Sequence, residues 1–239
     1  FKNLLYQTLN SNLSLPVQKG FIIDEIYGSK VLSSLPSMWC ARPIEQSSDR
    51  VLKFQNFNEA ALMLQKWPTH HIVKVLVQLH SENIESLKHL QKACLHYGHH
   101  LLIEPLSNSN ENYISQIQIL LEEGLSPQWW KLAPFSKSIE EWKTLFSLIE
   151  YHNPHTFGCL LLGQENSTTE VLSLIKSLAP LPLLKGFAVG RAIWHEAAQE
   201  WFSQTQSPHE IQNKIWKNYS ECCETFLNAK QIEKVGTLS

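Results

Sequence analysis

The chain has 239 residues, 43% of them apolar and 18% charged, enough to build one sizeable core. A formal net charge of −2 gives no pointer to nucleic acid or to an anionic membrane surface, and no apolar run is long enough to span a bilayer. The opening residues Phe1-Lys2-Asn3-Leu4-Leu5-Tyr6 lack the layout of a signal peptide. The five cysteines (Cys40, Cys94, Cys159, Cys222 and Cys223) are odd in number and match no zinc spacing. Cys40 and Cys159 fall in strand-like runs and read as buried small hydrophobes of a reduced, soluble, cytoplasmic protein.

Taken in order, Leu4, Leu5 and Leu9 give the first ten residues helical spacing. Gly20 to Glu25 reads as a short strand ending in two acids, Gly28 as the turn out of it, and Ser29 to Ser34 as a short helix. Trp39 to Glu45 is the next strand, irregular at its end because of Pro43. A polar loop holding Ser47, Ser48 and Asp49 leads to a helix from Asn58 to Lys66. Ile72 to Gln78 is the clearest strand, and the helix from Ile84 to Tyr97 stops at Gly98. Leu101 to Glu104 is a strand closed by Pro105, and Asn112 to Glu123 a helix stopped by Gly124. Ser126-Pro127 marks a turn before Gln128-Trp129-Trp130-Lys131-Leu132-Ala133-Pro134, a buried strand carrying one cation. Ser138 to Tyr151 is a helix, with Ser138 as N-cap and Glu141 at the capping-box position. Phe157 to Gly163 is a strand and Thr168 to Leu178 a helix. Gly186 to Gly190 is the last strand and Arg191 to Phe202 its helix, and Pro208 to Leu227 is a further helix before a polar tail. His70-His71 and His99-His100 precede strands and read as loop histidines.

Strand and helix therefore alternate, the signature of a parallel sheet flanked by helices. A repeat of roughly thirty residues suits the βα units of a closed barrel. No Gly-x-Gly-x-x-Gly follows any strand, which speaks against a dinucleotide fold. The expectation is an α/β fold, a TIM (β/α)8-type barrel over residues 1–239 that lacks its first strand.

In such barrels the reactive groups sit at the carboxyl ends of the strands. Those ends hold Asp24 and Glu25, Arg42 and Glu45, Gln78 and His80, Glu104, Lys131, Gly163 and Gln164, and Gly190 and Arg191. Lys74 lies earlier on its strand, in the phase that points inward. Side chains alternate along a strand, so Trp129, Lys131 and Ala133 share one face. A lysine buried there is costly unless it is paired or its pKa falls, and one with a depressed pKa is an amine nucleophile able to form a Schiff base with a carbonyl. The bland reading is a lysine that snorkels to the strand end or pairs with a buried carboxylate. Arginine is confined to Arg42, Arg50 and Arg191, two of them at strand ends, where a bidentate grip on phosphate or carboxylate calls for it. The turn at Gly190 opens a helix whose backbone N–H groups, with Arg191, would cradle a phosphate.

The segments Gly186-Phe-Ala-Val-Gly-Arg-Ala-Ile-Trp194, Trp129-Trp-Lys-Leu-Ala-Pro134, Val73-Lys-Val-Leu-Val77, Ile22-Ile-Asp-Glu-Ile-Tyr-Gly28 and Arg42-Pro-Ile-Glu45 carry a family resemblance. Along essentially the whole chain it resembles the aldolase-like barrel domain of bacterial myo-inositol catabolism, often fused behind 5-dehydro-2-deoxygluconokinase. Its layout is similar to that of tagatose-1,6-bisphosphate aldolase, a class I aldolase. The resemblance implies Lys131 as the Schiff-base lysine, Glu104, Lys74 and Asp24 as site-lining groups, and Arg191 with the Gly190 backbone as phosphate binders. Gly163, Gln164, Arg42 and Glu45 complete the expected substrate-binding set. Where the family carries an acidic motif after the seventh strand, this chain reads Gly163-Gln164-Glu165-Asn166.

The reading is a class I aldolase that cleaves 2-deoxy-5-keto-D-gluconate 6-phosphate to dihydroxyacetone phosphate and malonate semialdehyde. No cofactor or metal is called for, and no ligand cluster with suitable spacing occurs. The expected partners are the phosphorylated keto-sugar, a fused or separate sugar-kinase domain and further copies of the chain. One alternative is a non-catalytic sugar-phosphate-binding domain that partners a sugar kinase; another is a metal-dependent aldolase.

Overall fold

The structure, a computed structural model, describes residues 1–12, 15–33, 38–45, 57–78, 81–106, 113–163 and 167–236. Seven strands run along it: β1 (Gly20–Ile22), β2 (Trp39–Pro43), β3 (Ile72–Gln78), β4 (Leu101–Leu106), β5 (Trp129–Leu132), β6 (Gly158–Leu162) and β7 (Leu184–Ala188). They form one parallel sheet in sequential order, the arrangement of an α/β barrel of the TIM type. The helices between and after them are α1 (Lys2–Ser11), α2 (Glu25–Leu32), α3 (Phe57–Leu64), α4 (Ser81–Tyr97), α5 (Tyr113–Glu122), α6 (Ile139–His152), α7 (Thr168–Leu178), α8 (Arg191–Phe202) and α9 (Pro208–Gly236).

The chain divides into two compact units. One comprises Gly20–Ile23 and Trp39–Leu160 and holds β1 to β5 with α3 to α6. Its register is continuous: Ala41 lies opposite Ile72, Leu102 opposite Val73's neighbour Lys74, and Trp129 opposite Leu102. Because side chains alternate with a period of two, these in-register positions present one face. Ile22, Trp39, Ala41, Ile72, Leu102, Trp129 and Leu160 pack together there as a single apolar layer. The opposite face is also buried, with Val73, Val75, Val77, Leu101, Ile103 and Trp130 all 0–1% exposed. Burial on both sides explains the near-continuous apolar runs of these strands. Helices α4 and α5 end in the same way. Gly98 (φ 72°) and Gly124 (φ 84°) take the left-handed conformation open to glycine, and the N–H groups of His99 and Leu125 reach back to Cys94 and Leu120.

The other unit comprises Phe1–Lys19, Asp24–Met38 and Leu161–Ser239. Its core joins α1, α8 and α9 through Leu4, Ile193, Ala197, Ile211 and Ile215. Helix α7 starts with a complete capping box: the Ser167 hydroxyl takes the Glu170 N–H, and the Glu170 carboxylate takes the Ser167 N–H.

Several boundaries differ from the sequence expectation for physical reasons. Helix α2 begins at Glu25, so Gly28 is a buried helical residue rather than a turn. Pro105 does not close β4, which runs to Leu106 with Pro105 opposite Val77. β7 ends at Ala188, ahead of the expected Gly190. Ser138 is the N-cap of α6, but its hydroxyl makes no cap bond, and its own N–H is taken by the Ser136 hydroxyl instead of Glu141. The polar loop around Ser47 to Asp49 lies outside the described residues. His71 and His99 lie between elements as expected, and are buried at 3% and 4% exposure. The His99 ring sits between the carbonyls of His71 and Leu64, its Nδ1 3.0 Å from the first and its Nε2 3.3 Å from the second, where its N–H has a buried acceptor. All five cysteines are free and buried.

Candidate active site

Two residues beyond the apolar layer, on the same face of the strands, the side chains turn ionic. Lys74 follows Ile72 on β3, Glu104 follows Leu102 on β4 and Lys131 follows Trp129 on β5. Period-two alternation therefore lifts three charged groups from adjacent strands onto one face above the layer. Glu104 is shared: its Oε1 accepts from Lys131 Nζ at 3.1 Å and its Oε2 pairs with Lys74 Nζ at 3.0 Å. Lys74 Nζ also donates to Glu45 Oε1 at 2.5 Å. Glu45 sits two residues past the end of β2, brought there because the Ile44 N–H continues the sheet pairing onto the Lys74 carbonyl at 2.9 Å. The result is a buried chain, Glu45–Lys74–Glu104–Lys131, with each side chain no more than 10% exposed.

The electrostatics follow from that geometry. Burial lowers the Lys131 pKa from its ordinary 10.5, and the Lys74 ammonium pushes the same way; Glu104 opposes but does not restore it. For Glu104, burial acts to raise the carboxyl pKa, but Lys131 and Lys74 together hold it below the usual carboxylate value. One lysine is thus biased toward its free amine, beside a carboxylate kept ionised. A lowered-pKa amine with a carboxylate in hydrogen-bond reach is an arrangement able to serve as nucleophile and base.

Of the residues expected to line the site, Lys131, Glu104, Lys74 and Glu45 are brought together. Arg42 is not among them. It stands in register with Val73, one position out of phase with Lys74, and its guanidinium lies over the Trp67 ring at 4.0 Å from the centroid. Pro43 takes the phase that Arg42 would have needed, so Arg42 serves packing on the other face of β2. In the other unit, Asp24 pairs with Lys2 of α1. There Gly163 abuts Val189, since a Cβ on Gly163 would come 2.9 Å from Val189 Cγ1. Gly190 caps α8, its carbonyl accepting from the N–H groups of Ile193 and Trp194, and Arg191 is exposed on the first turn. Gln164 lies outside the described residues, as do His80 and Arg50. Among the described residues no group of His, Cys, Asp and Glu is placed to hold a metal ion, and no helix is long and apolar enough to cross a membrane.

The fold is shared with aldolases. The fructose-bisphosphate aldolase of Plasmodium falciparum, solved in a ternary complex with TRAP and a small-molecule inhibitor, superposes with a TM-score of 0.58 at 11% identity, over 94% of this chain and 81% of that one. A protein from Coccidioides immitis assigned as a fructose-1,6-biphosphate aldolase gives 0.53 at 13% identity, over 97% and 86%. At such identities the likeness defines the class of fold, an aldolase-type barrel. Residues 1–230 match the family described as "Uncharacterized protein conserved in bacteria (DUF2090)", and the chain belongs to that family. No curated protein matches it in sequence.

Proposed function

We propose that the protein is a class I, Schiff-base aldolase with Lys131 as its nucleophile. The observation that carries this reading is the buried Lys131, its ammonium form disfavoured, 3.1 Å from the Glu104 carboxylate. An ordinary lysine leaves roughly one amine in 2,500 free at neutral pH. Burial and Lys74 enlarge that fraction. The free amine adds to a ketone carbonyl, and loss of water leaves a protonated iminium, an electron sink. Glu104 takes the proton from the hydroxyl on the carbon two removed from the iminium carbon. That O–H pair forms the new aldehyde, the carbon–carbon bond breaks, and its electrons neutralise the iminium as an enamine. The proton returns from Glu104 to the enamine carbon, and water releases the ketone and the amine.

For the substrate, the family resemblance supports a phosphorylated keto-sugar acid, 2-deoxy-5-keto-D-gluconate 6-phosphate, split into dihydroxyacetone phosphate and malonate semialdehyde. We assign phosphate recognition, on the same resemblance, to Gly163 and the Gly190–Arg191 turn. A sugar-kinase domain is the partner this reading supplies.

The deciding experiment is reductive trapping. Borohydride added with dihydroxyacetone phosphate should fix a secondary amine on the peptide that holds Trp129 to Pro134, seen by mass spectrometry. Lys131→Arg should abolish the adduct and keep the fold, because arginine retains the charge without a usable nucleophile. An adduct on Lys74 would overturn the assignment. No adduct, with phosphate binding retained, would favour the non-catalytic sugar-phosphate-binding reading.

A further inference from the structure

Of the carboxylate oxygens in the buried chain, three face an ammonium: Glu45 Oε1 and both oxygens of Glu104. The fourth, Glu45 Oε2, is shielded from solvent and has no hydrogen-bond partner among the described residues, on a side chain 8% exposed. A buried charged acceptor without a donor is expensive to leave unmade. Lys74 is already divided between Glu45 and Glu104, so it holds the Glu45 carboxylate in place without reaching its second oxygen. The site therefore contains a fixed, salt-bridged acceptor joined to Lys131 through Lys74 and Glu104.

The chemistry of what fills it is narrow. A phosphate or carboxylate is repelled by Glu45. An ammonium would add a third cation to a buried set whose two carboxylates already face two lysines. An uncharged O–H donor satisfies the oxygen without either penalty. We propose that Glu45 is a specificity residue, accepting a hydrogen bond on Oε2 from a hydroxyl of the bound ketone, so that the site takes hydroxyketones in preference to ketones lacking that hydroxyl. This rests on the Schiff-base reading for the placement of the ketone beside Lys131. Sites built to hold a substrate hydroxyl reject the analogue without it, because the buried acceptor is then left bare.

The test compares hydroxyacetone with butanone, which carries a methyl group in place of the hydroxyl. Rates of Lys131 adduct formation in cyanoborohydride are measured for both, and their ratio is divided by the ratio for Nα-acetyl-lysine to remove intrinsic reactivity. The corrected preference for hydroxyacetone in the wild-type chain should be roughly 10- to 100-fold, the range for a hydrogen bond to a charged group, and should fall toward one in Glu45→Gln. Glu45→Asp, which keeps the charge but shortens its reach, should lie between. A wild-type preference no greater than that of free lysine overturns the proposal whether or not the variants fold. So does a preference unchanged in folded Glu45→Gln. If neither ketone forms an adduct on Lys131, the Schiff-base reading fails, and Glu45 is judged by saturation-transfer NMR of the same ketones. Hydroxyacetone binding that is stronger than butanone binding, and loses that advantage in Glu45→Gln, then supports it, and equal or absent binding of both overturns it.

Discussion

Lys131 and Glu104 stand on neighbouring strands, one register step past the pair Ile103 and Trp130, with Nζ and Oε1 3.1 Å apart. Glu104 and Lys74 act on that amine in opposite senses: Glu104 raises its pKa, and Lys74 lowers it. The pH dependence of iminium trapping should therefore move in opposite directions in two variants. Lys74→Met removes the like charge and shifts the rise in trapping to higher pH. Glu104→Gln removes the favourable charge and shifts it to lower pH. Glu104→Gln should also separate the two halves of the reaction, keeping the adduct while slowing carbon–carbon cleavage by about 10²–10⁴-fold, the usual worth of a positioned acid–base group. Single-turnover cleavage and trapping, measured on the same samples, check both statements.

The ionic row was legible in the sequence to the extent that strands have a period of two. Lys74, Glu104 and Lys131 each follow an apolar residue of the inner layer by two positions, and that spacing survives any small error in strand ends. Arg42 is near a strand end in the sequence, but its phase, in register with Val73 rather than Lys74, sends its guanidinium over Trp67. Glu45 keeps the period-two phase of Ala41 and Pro43, but its bond to Lys74, 29 residues away in sequence, also needs the pairing of β2 with β3, which local spacing does not specify. Gly28 and Pro105 look like punctuation in the sequence, but the burial of Gly28 and Val31 within α2 and the pairing of β4 with β3 override the local preference.

Tyr113 supports the strand that carries Lys131. It is 1% exposed, stacks on Phe135 with centroids 5.0 Å apart, and its hydroxyl accepts the Ala133 N–H at 3.2 Å. Tyr113→Phe keeps the stack and removes the acceptor, leaving a buried backbone donor bare. The expected loss is about 1–3 kcal/mol of folding stability. Urea unfolding should show a lower midpoint with an unchanged slope.

His71 makes stability depend on pH. Burial pushes its pKa down from 6.5 to about 4, and the neighbouring His70, Arg42 and His99 add to the effect. Its Nδ1 is buried without a partner among the described residues. The unfolded chain therefore binds a proton that the folded chain refuses between about pH 6.5 and 4. Stability should be full above that window, decline as pH falls through it, and lose no more to this group below about pH 4. His71→Leu, similar in size and unable to titrate, should flatten that part of the profile. Urea midpoints at half-unit intervals of pH would show whether the slope belongs to His71.

Arg191 offers the sharpest test of phosphate recognition. It lies exposed on the first turn of α8, where the carbonyl of Gly190 is already committed to the N–H groups of Ile193 and Trp194. The first N–H groups of a helix have no carbonyl partner of their own, and the dipole there favours an anion. A guanidinium beside them adds charge-assisted hydrogen bonds that a phosphate dianion can use and a hydroxyl cannot. Arg191→Ala should therefore weaken dihydroxyacetone phosphate by roughly 1.5–3 kcal/mol, the range for a hydrogen bond to a charged group, and leave dihydroxyacetone nearly unchanged. Arg191→Lys should recover part of the loss, since lysine keeps the charge without the planar fork. Calorimetric titration of both ligands into the wild-type chain and the two variants provides the comparison. Equal losses for the phosphorylated and unphosphorylated ketone would show that the arginine supports the fold of its unit, and the phosphate assignment would fall.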